Sequence, residues 1–277
     1  MLQAHAVPSA IRSAAYESRD RRPASANAVW RAALKHGPVG SWCVFLDVDG
    51  TLVDLEQTPD RVVISEELRT LLARAARALG GALAIVSGRS LQDLDALFSP
   101  LQLPSAGVHG LERRDATGRT TRCELPPARL DPARWLLRAF ADVHPGVLLE
   151  DKGVALAVHY RGASQHEPGV RAIVRAAAAE LGSEFHVQEG AKVLEIKPAG
   201  WNKAAAVDAF MHEPPFRDRL PIFVGDDVTD RDGFMAVLRR GGLAVAVGDR
   251  VTTSWRLANP RAVHRWLAGL AAAVAPD

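Results

Sequence analysis

The sequence predicts an α/β fold in which a parallel sheet forms a core and a smaller α+β domain is inserted into it. The main observation is that three short apolar runs each end abruptly in a polar cluster. Continuous apolar runs of this length are typical of strands buried on both faces, as in a parallel sheet covered by helices. The runs are residues 44–46, 83–86 and 222–224, followed by Asp-Val-Asp-Gly-Thr, Ser-Gly-Arg and Gly-Asp-Asp.

A predicted helix separates the first two runs and completes a strand–helix–strand unit. Ser65 can cap its N-terminus, the acidic Glu66 and Glu67 suit the positive end of the helix dipole, and Gly80 can end it. Its apolar positions form one stripe: Leu68, Leu71, Leu72, Ala75 and Leu79. A fourth run, residues 243–247, fits the same sheet. In such sheets ligands bind beyond the carboxyl ends of the strands, so we expect the polar clusters to meet at one site.

The middle of the chain predicts a separate small domain. It contains a predicted helix at 131–142, an alternating strand at 154–160, a helix from about 168 to 181, and short strands near Phe185 and Val193. Alternation of apolar and polar residues indicates a sheet with one exposed face. We therefore predict a core formed by residues 27–122 and 198–277, a cap domain at 123–197, and a loose N-terminal tail at 1–26.

Bulk composition excludes several classes of protein. The 277 residues are 48% hydrophobic and 24% charged, which is ordinary for a globular protein of one or two domains. No apolar run approaches the roughly 20 residues that span a bilayer, and the N-terminus lacks a secretory pattern. A net charge of +2 is too small to indicate nucleic acid or membrane as a partner. Two cysteines, Cys43 and Cys123, give no disulfide framework and favour a reducing cytoplasm.

The cluster at residues 47–51 carries the strongest chemical signal. Asp47 and Asp49 are separated by one residue after a strand, and Gly50 permits a sharp turn. One interpretation is a metal-binding pair. A sharper one is a nucleophile, Asp47, that attacks phosphorus, with Asp49 protonating the leaving oxygen and later activating water. A calcium loop of the EF-hand type does not fit, because it lacks Gly at position six and Glu at position twelve. A structural turn stays open.

Ser87 and Lys203 are weaker signals of phosphate chemistry when each is taken alone. Ser87 offers a hydroxyl and nearby backbone N–H groups to a phosphate oxygen, although a helix N-cap explains it equally well. Lys203 opens an Ala-rich helix that continues to Met211, where a cation faces the positive dipole end. A nearby phosphate or carboxylate offsets that cost, and the alternative is a solvated surface lysine.

The last cluster predicts a metal site. Asp226, Asp227 and Asp230 place three carboxylates within five positions after a strand, where they repel one another unless a cation intervenes. Mg²⁺ prefers such oxygen ligands, together with phosphate oxygen and water. Capping of the next helix is a more modest explanation for Asp230. The combined clusters supply a nucleophile, an acid and cations for phosphoryl transfer, and no glycine-rich phosphate loop is present to favour a nucleotide hydrolase.

The order DxDGT, SGR, a helix-opening Lys and GDDxxD resembles the haloacid dehalogenase superfamily. This resemblance implies a Rossmann-like core, with Asp47 as nucleophile and Asp49 as acid and base. It also implies that Ser87 and Lys203 act in catalysis by binding phosphate. Magnesium is implied to lie on Asp47, the Asp49 carbonyl and Asp226, with support from Asp230.

The remaining segments are similar to one branch of that superfamily, the trehalose-6-phosphate phosphatases. The similar segments are His109-Gly110-Leu111-Glu112, Glu150-Asp151-Lys152-Gly153 with His159-Tyr160-Arg161, and residues 189–195. The resemblance to this branch implies that cap residues bind trehalose hydroxyls, above all Glu150, Lys152 and Glu195. The alternative is that these three residues are ordinary exposed charges on the solvent-facing side of a sheet. The full set of substrate-binding candidates is Thr51, Gly88, Arg89, His109, Glu112, Glu150, Lys152, His159, Arg161, Lys192 and Glu195.

Two positions depart from the branch pattern. Ala204 follows Lys203 where glycine is usual, and Arg231 stands where an acid is usual. Neither change removes a proposed catalytic group. The resemblance therefore implies a magnesium-dependent trehalose 6-phosphate phosphatase, expected in the cytoplasm and supplied with substrate by a separate synthase. The alternatives are a sucrose-phosphate or mannosyl-3-phosphoglycerate phosphatase, and a phosphosugar-binding regulator without turnover.

Overall fold

The computed structural model describes residues 26–56 and 61–273, and it confirms the α/β class. The strands within these ranges are β1 (Trp42–Leu46), β2 (Leu83–Val86), β3 (Ser105–Gly107), β4 (Glu112–Arg114), β5 (Thr120–Arg122), β6 (Leu148–Asp151), β7 (Leu156–His159), β8 (Phe185–Gly190), β9 (Val193–Pro198), β10 (Leu220–Gly225), β11 (Leu243–Val247) and β12 (Trp255–Leu257). The α-helices are α1 (Ala26–Leu34), α2 (Glu66–Ala78), α3 (Leu91–Phe98), α4 (Asp131–Asp142), α5 (Glu167–Leu181), α6 (Lys203–Met211), α7 (Arg231–Arg239) and α8 (Pro260–Ala272).

Eight strands form the core sheet, in the order β12-β11-β10-β1-β2-β3-β4-β5. The first six are parallel, and β4 and β5 extend the sheet as an antiparallel edge. The four predicted apolar runs lie side by side as β11, β10, β1 and β2. Every residue of β1, β2 and β11 is buried, as expected for strands covered by helices on both faces.

The predicted helix between the first two strands is α2, and its caps follow the expected chemistry. The Ser65 side chain accepts a hydrogen bond from Leu68 N at 3.2 Å, which satisfies one free amide of the first turn. Its buried face includes Leu68, Leu72 and Ala75 and packs into the core. Gly80 follows the helix with φ +57°, a conformation that favours glycine.

A second, four-stranded antiparallel sheet, in the order β6-β7-β9-β8, lies between β5 and α6 in the chain. One face of this sheet packs with α4 and α5 around a separate apolar cluster that includes Leu156, Val158, Leu194 and Ile196. Because side chains alternate along a strand, Ala157, Glu195 and their neighbours point to the opposite face. That polar face lies over the carboxyl edge of the core sheet.

The predicted tail at 1–26 lies outside the described residues, apart from Ala26, where α1 begins. Within residues 26–56 and 61–273, no helix has both the length and the apolar character needed to cross a membrane.

Candidate active site

The predicted nucleophile Asp47, the predicted phosphate-binding Ser87 and the predicted metal ligand Asp226 lie at the carboxyl edge of the core sheet. β1 ends directly before Asp47, β2 before Ser87, and β10 directly before Asp226. β1 is hydrogen-bonded to both β10 and β2, so the three side chains come from neighbouring strands. The Asp47 amide also donates to Val224 O at 3.0 Å, which fixes the residue just beyond its strand. Clusters far apart in sequence are therefore adjacent in space.

Lys203 joins two acidic side chains. Its Nζ lies 2.7 Å from Asp47 Oδ1 and 2.6 Å from Asp230 Oδ1, and all three residues are at most 5% exposed. Asn202 positions the lysine, because its side chain caps α6 by accepting from Ala205 N at 2.9 Å. Lys203 is thus buried and paired with carboxylates rather than solvated on the surface.

Burial and charge act in opposite directions in this group. Burial raises the pKa of Asp47 to about 7, against the attraction of Lys203 and with a further contribution from Asp230. Burial also opposes the charge on Lys203, yet the two carboxylates raise its pKa above the usual range. A buried acidic group that lacks full compensation favours the binding of a further cation.

Asp230 organises the loop after β10. Its Oδ2 accepts the backbone amides of Asp226 at 2.8 Å and Asp227 at 2.9 Å, while Oδ1 accepts from Lys203. Gly225 leaves room for this approach, because a Cβ at that position would overlap the Asp230 carboxyl group. With both oxygens engaged, Asp230 holds the orientation of Asp226 from behind the cleft.

The acidic cluster fits a divalent metal ion. Asp47, Asp226 and Asp230 each place a carboxylate oxygen within 4.8 Å of the others. Oxygen ligands in this number suit a hard cation such as Mg²⁺. Gly50, with φ +85°, lets the Asp226 carboxylate pack directly against the backbone after Asp49, because a Cβ there would overlap Asp226 Oδ2. Thr51 donates to the other Asp226 oxygen at 3.3 Å from below.

Arg250 adds a positive charge that the sequence did not predict. Its guanidinium pairs with Asp226 Oδ2, and its NH1 lies 4.0 Å from Asp227 Oδ1. Carboxylates still outnumber cations here, because four acids face two bases: Asp47, Asp226, Asp227 and Asp230 against Lys203 and Arg250. The excess of negative charge agrees with the fit to a divalent cation.

Arg89 holds Asp49 in a bidentate pair. Its Nε and NH2 each lie 2.7 Å from one Asp49 oxygen. Because this fork fixes both carboxylate oxygens, it sets the Asp49 rotamer at the mouth of the site. Ser87, which is 1% exposed, accepts from the Arg89 amide at 3.2 Å. The segment after β2 therefore presents backbone and hydroxyl groups beside both predicted catalytic aspartates.

Buried charged side chains of the cap form a network of contacts above the core. Lys152 Nζ donates to Gly88 O at 2.7 Å and lies 3.2 Å from Glu195 Oε1, and His109 Nε2 lies 3.1 Å from Glu195 Oε2. Burial opposes the charge of Glu195, but Lys152 and His109 hold its pKa well below the usual range. Burial lowers the pKa of His109 to about 4, against the pull of Glu195. His109 is therefore neutral at pH 7.

A second cap pair lies near the first. His159 Nε2 lies 2.7 Å from Glu150 Oε2, and Lys152 Nζ lies 3.8 Å from the same oxygen. Burial works against the Glu150 charge, yet the bond to His159 and the charge of Lys152 lower its pKa. The cap thus presents fixed, charge-assisted donors and acceptors of the kind that orient hydroxyl-rich ligands.

One cleft between cap and core brings together most of the predicted site residues. Those lining it are Asp47, Asp49, Ser87, Gly88, Arg89, His109, Glu150, Lys152, His159, Arg161, Glu195 and Lys203. Asp226, Asp230 and Thr51 lie buried directly beneath it. The geometry places an acidic floor, suited to a cation, below a roof rich in hydrogen-bonding groups.

Apart from the buried Thr51, two predicted substrate-binding residues lie outside this cleft lining. Glu112 Oε1 accepts the Leu91 amide at the start of α3, at 2.9 Å, and Oε2 lies 3.2 Å from Arg122 Nε. Lys192 is exposed, and its Nζ donates to Glu167 at 2.8 Å on the cap surface. Their observed contacts support local structure.

Replacing Glu112 with alanine tests whether this residue stabilises the start of α3 or binds the substrate. We expect unfolding free energy to fall by about 1 kcal/mol, because the first turn of α3 loses a charged acceptor. KM for the substrate should change by less than about twofold. Thermal unfolding and steady-state kinetics measure the two effects, and a clear rise in KM with unchanged stability would instead support the substrate-binding role predicted from the sequence.

Gln188 and Arg250 also line the cleft and were not among the site residues predicted from the sequence, whereas Asp227 belongs to the predicted acidic cluster after β10. Arg250 follows β11, so the same pattern of apolar run and polar cluster that identified the other sites also points to it. Gln188 is opposite Glu195 in the β8–β9 pairing, and strand alternation places both on the face above the core. The alternation of side chains along the predicted cap strands could therefore have identified Gln188 as a cleft residue.

Comparison with known proteins identifies close relatives. The family model described as trehalose-phosphatase matches residues 45–261. The chain is similar to the trehalose-6-phosphate phosphatase of Escherichia coli strain K12, at 44% identity over 224 residues, covering 80% of this chain and 84% of the relative. It is also 42% identical over 235 residues to a probable trehalose-phosphate phosphatase of Sinorhizobium fredii, covering 85% and 88%.

Solved structures share the fold. The C-terminal domain of the Candida albicans trehalose-6-phosphate phosphatase has a TM-score of 0.77 at 22% identity, covering 92% of this chain and 99% of that one. A phosphatase of the haloalkanoate enzyme superfamily from Bacteroides thetaiotaomicron has a TM-score of 0.55 at 17% identity, covering 82% and 93%. At these identities the likeness concerns the fold alone.

Proposed function

Because this chain belongs to the trehalose-phosphatase family, we propose that it hydrolyses trehalose 6-phosphate to trehalose and phosphate. It is a phosphoric monoester hydrolase with a haloacid dehalogenase core. The observation that carries the proposal is the buried Asp47–Lys203 pair, at 2.7 Å, facing a cleft whose roof is charged cap residues. A floor suited to phosphate chemistry and a roof suited to sugar hydroxyls fit a sugar phosphate.

In the first step, an Asp47 carboxylate oxygen attacks phosphorus while the bond to the sugar oxygen breaks. Asp49 gives its proton to that leaving oxygen, so trehalose departs as a neutral alcohol and Asp47 carries the phosphoryl group. Arg89 sets the Asp49 rotamer through its bidentate contact. The Lys203 charge holds the nucleophile in place and offsets charge on the transferred group.

In the second step, water hydrolyses the aspartyl-phosphate. Asp49, now a base, takes a proton from the water as its oxygen attacks phosphorus, and the bond to Asp47 breaks to release phosphate. The side chain and backbone of Ser87, with Gly88 and Arg89, lie beside this position and are proposed to bind the phosphate oxygens. Thr51, buried beneath, supports Asp226 rather than facing the cleft.

Mg²⁺ is the proposed cofactor. Asp47, Asp226 and the Asp49 carbonyl would hold it, with Asp230 supporting Asp226 through the backbone. When bound, such a cation stabilises negative charge on the phosphoryl oxygens. The clustering of three buried carboxylates and their excess over the nearby cations support this assignment.

We propose that the cap side chains select the disaccharide. Glu150, Lys152, His159 and Glu195 are held in a paired network, so their remaining donors and acceptors are fixed in direction. Gln188 adds a neutral amide in the cleft. A site built to bind hydroxyls discriminates strongly against ligands that leave its buried polar groups unpaired.

The test is phosphate release from a panel of phosphates, in Mg²⁺ and after chelation. The panel contains trehalose 6-phosphate, sucrose 6-phosphate, mannosyl-3-phosphoglycerate and p-nitrophenyl phosphate. Wild-type enzyme is compared with Glu195→Ala and with Glu189→Ala, a matched control whose side chain contacts Arg171 on the outer part of the same hairpin. We expect trehalose 6-phosphate to be preferred, and chelation to abolish release.

Glu195→Ala should lower kcat/KM for trehalose 6-phosphate by about 100-fold and for the aryl phosphate by less than about threefold, because only the sugar uses the cap. Glu189→Ala should resemble wild type. Preference for another sugar phosphate would keep the chemistry and overturn the sugar assignment. Equal losses on both substrates would overturn cap recognition, and no release at all would favour a phosphosugar-binding regulator.

The cellular setting is a further part of the proposal. The two free cysteines, Cys43 buried and Cys123 partly exposed, suit a reducing cytoplasm. The substrate is expected to come from a separate trehalose-6-phosphate synthase.

A further inference from the structure

The tip of the β8–β9 hairpin in the cap is tied to the core through the backbone of Ala191. Its amide donates to Asp227 Oδ2 at 3.1 Å. Its carbonyl accepts from Arg161 NH2 at 3.1 Å, and Arg161 NH1 donates to Glu56 O in the core. Both backbone polar groups of Ala191 are therefore hydrogen-bonded, the N–H directly to the core and the C=O to Arg161, which in turn bonds to the core.

We propose that Asp227 is a positioning residue that latches the cap closed over Asp47. The inference rests on the proposed function, because closure has a use only if the cleft holds a substrate. The Asp227 oxygen is ionic and the Ala191 donor is a backbone amide, a pairing stronger than a neutral hydrogen bond. Asp227 lies next to Asp226 in the chain, so the latch is set in the loop that also shapes the cation-binding floor.

The hairpin is narrow where it meets the core. Gly190 precedes Ala191, and a Cβ on it would lie only 2.8 Å from Val193 Cγ1 across the hairpin, whereas Asp227 Oδ2 and Thr229 Cγ2, at 3.5 and 3.8 Å, would be in ordinary contact. Lys192 follows with φ +61°, which turns the chain back into β9. The tip is therefore small and tightly turned where it meets Asp227.

The latch is separate from sugar recognition. Asp227 binds the main chain of the hairpin, whereas Glu150, Lys152 and Glu195 present side chains from the sheet face. Loss of the latch should therefore lower the population of the closed cap without removing any group that contacts the sugar. Closure of this kind excludes water from the reacting group and completes the site.

The experiment compares Asp227→Ala with Asp227→Asn, which keeps an oxygen that accepts the Ala191 amide. Asp249→Ala, which removes an exposed acid on a nearby loop, is the matched control. Hydrogen–deuterium exchange of the hairpin, residues 188–193, is measured in the full-length protein with Mg²⁺ and orthovanadate as probes. Steady-state kinetics with trehalose 6-phosphate and the Mg²⁺-dependent shift in melting temperature are measured alongside.

Asp227→Ala is expected to speed hairpin exchange about tenfold and lower kcat/KM for trehalose 6-phosphate about tenfold, mainly through KM. Asp227→Asn and Asp249→Ala should stay within threefold of wild type, with an unchanged Mg²⁺ shift. Unchanged exchange in Asp227→Ala overturns the latch. Faster exchange with normal kinetics overturns its role in catalysis, as does a lost Mg²⁺ shift. If wild type does not hydrolyse trehalose 6-phosphate, the proposed function fails while the exchange result still decides the latch.

Discussion

Replacement of Asp47 by asparagine is expected to lower phosphate release by about 10⁴-fold or more while the protein stays folded. The amide is a poor nucleophile, so no aspartyl-phosphate forms, and losses of this size follow removal of a nucleophile that acts as a unit with its neighbours. Lys203 keeps its second partner, Asp230, at 2.6 Å, so the buried lysine is not left alone. Phosphate release and thermal unfolding measure the two effects.

The control is Asp54→Asn, which changes an exposed aspartate a few residues further along the same loop. It should keep wild-type activity. Residual turnover in Asp47→Asn within tenfold of wild type would show that the nucleophile lies elsewhere, and the aspartyl-phosphate mechanism would have to be abandoned.

Lys203→Met is expected to reduce both activity and stability. The substitution leaves Asp47 and Asp230 buried without their shared cation, and breaking a buried pair in this way costs about 3–5 kcal/mol. Adding Asp230→Asn to Lys203→Met removes one of the stranded charges. The double variant should therefore recover part of the lost stability but none of the activity, since the Lys203 ammonium group, which we propose binds phosphate, is still missing.

Lys197 provides an informative comparison, because it is buried in β9 and its Nζ has no hydrogen-bond acceptor in the part of the chain that the structure describes. Burial lowers the pKa of Lys197 to about 8, against the attraction of Glu195 and Asp232. Lys197→Met should be neutral or stabilising in urea unfolding, since it removes a buried charge without a direct partner. If both lysine variants lose equal stability, the argument from pairing is wrong.

The core fold could be predicted from the sequence because its signal is local. Buried parallel strands read as apolar runs, and the polar residues that end them are the same residues that meet at the sheet edge. Asp47, Ser87 and Asp226 could be placed together by that rule alone. The cap sheet was harder to predict, because β6 places one leucine and one acidic residue on each of its faces.

The partners of each site residue could not be predicted, since they depend on which side chains approach in three dimensions. Glu112 and Glu195 are both glutamates in segments predicted to bind substrate. Glu112 nevertheless accepts a hydrogen bond from a helix amide, whereas Glu195 is buried between Lys152 and His109. The positions of Arg250 and Asp227 after strands are visible in the sequence, but the pairing of Arg250 with Asp226 and of Asp227 with the Ala191 amide depends on packing.

The pairing of β1 with β10 has a consequence for how the chain reaches its native state. Trp42 lies opposite Leu220, so β1, which is synthesised early, can pair with β10 only after the whole cap has been synthesised. Contacts that distant close slowly, whereas the cap sheet pairs segments near one another in the chain. During synthesis the cap should therefore fold first, while the bare edge of β1 invites association with other nascent chains until β10 emerges.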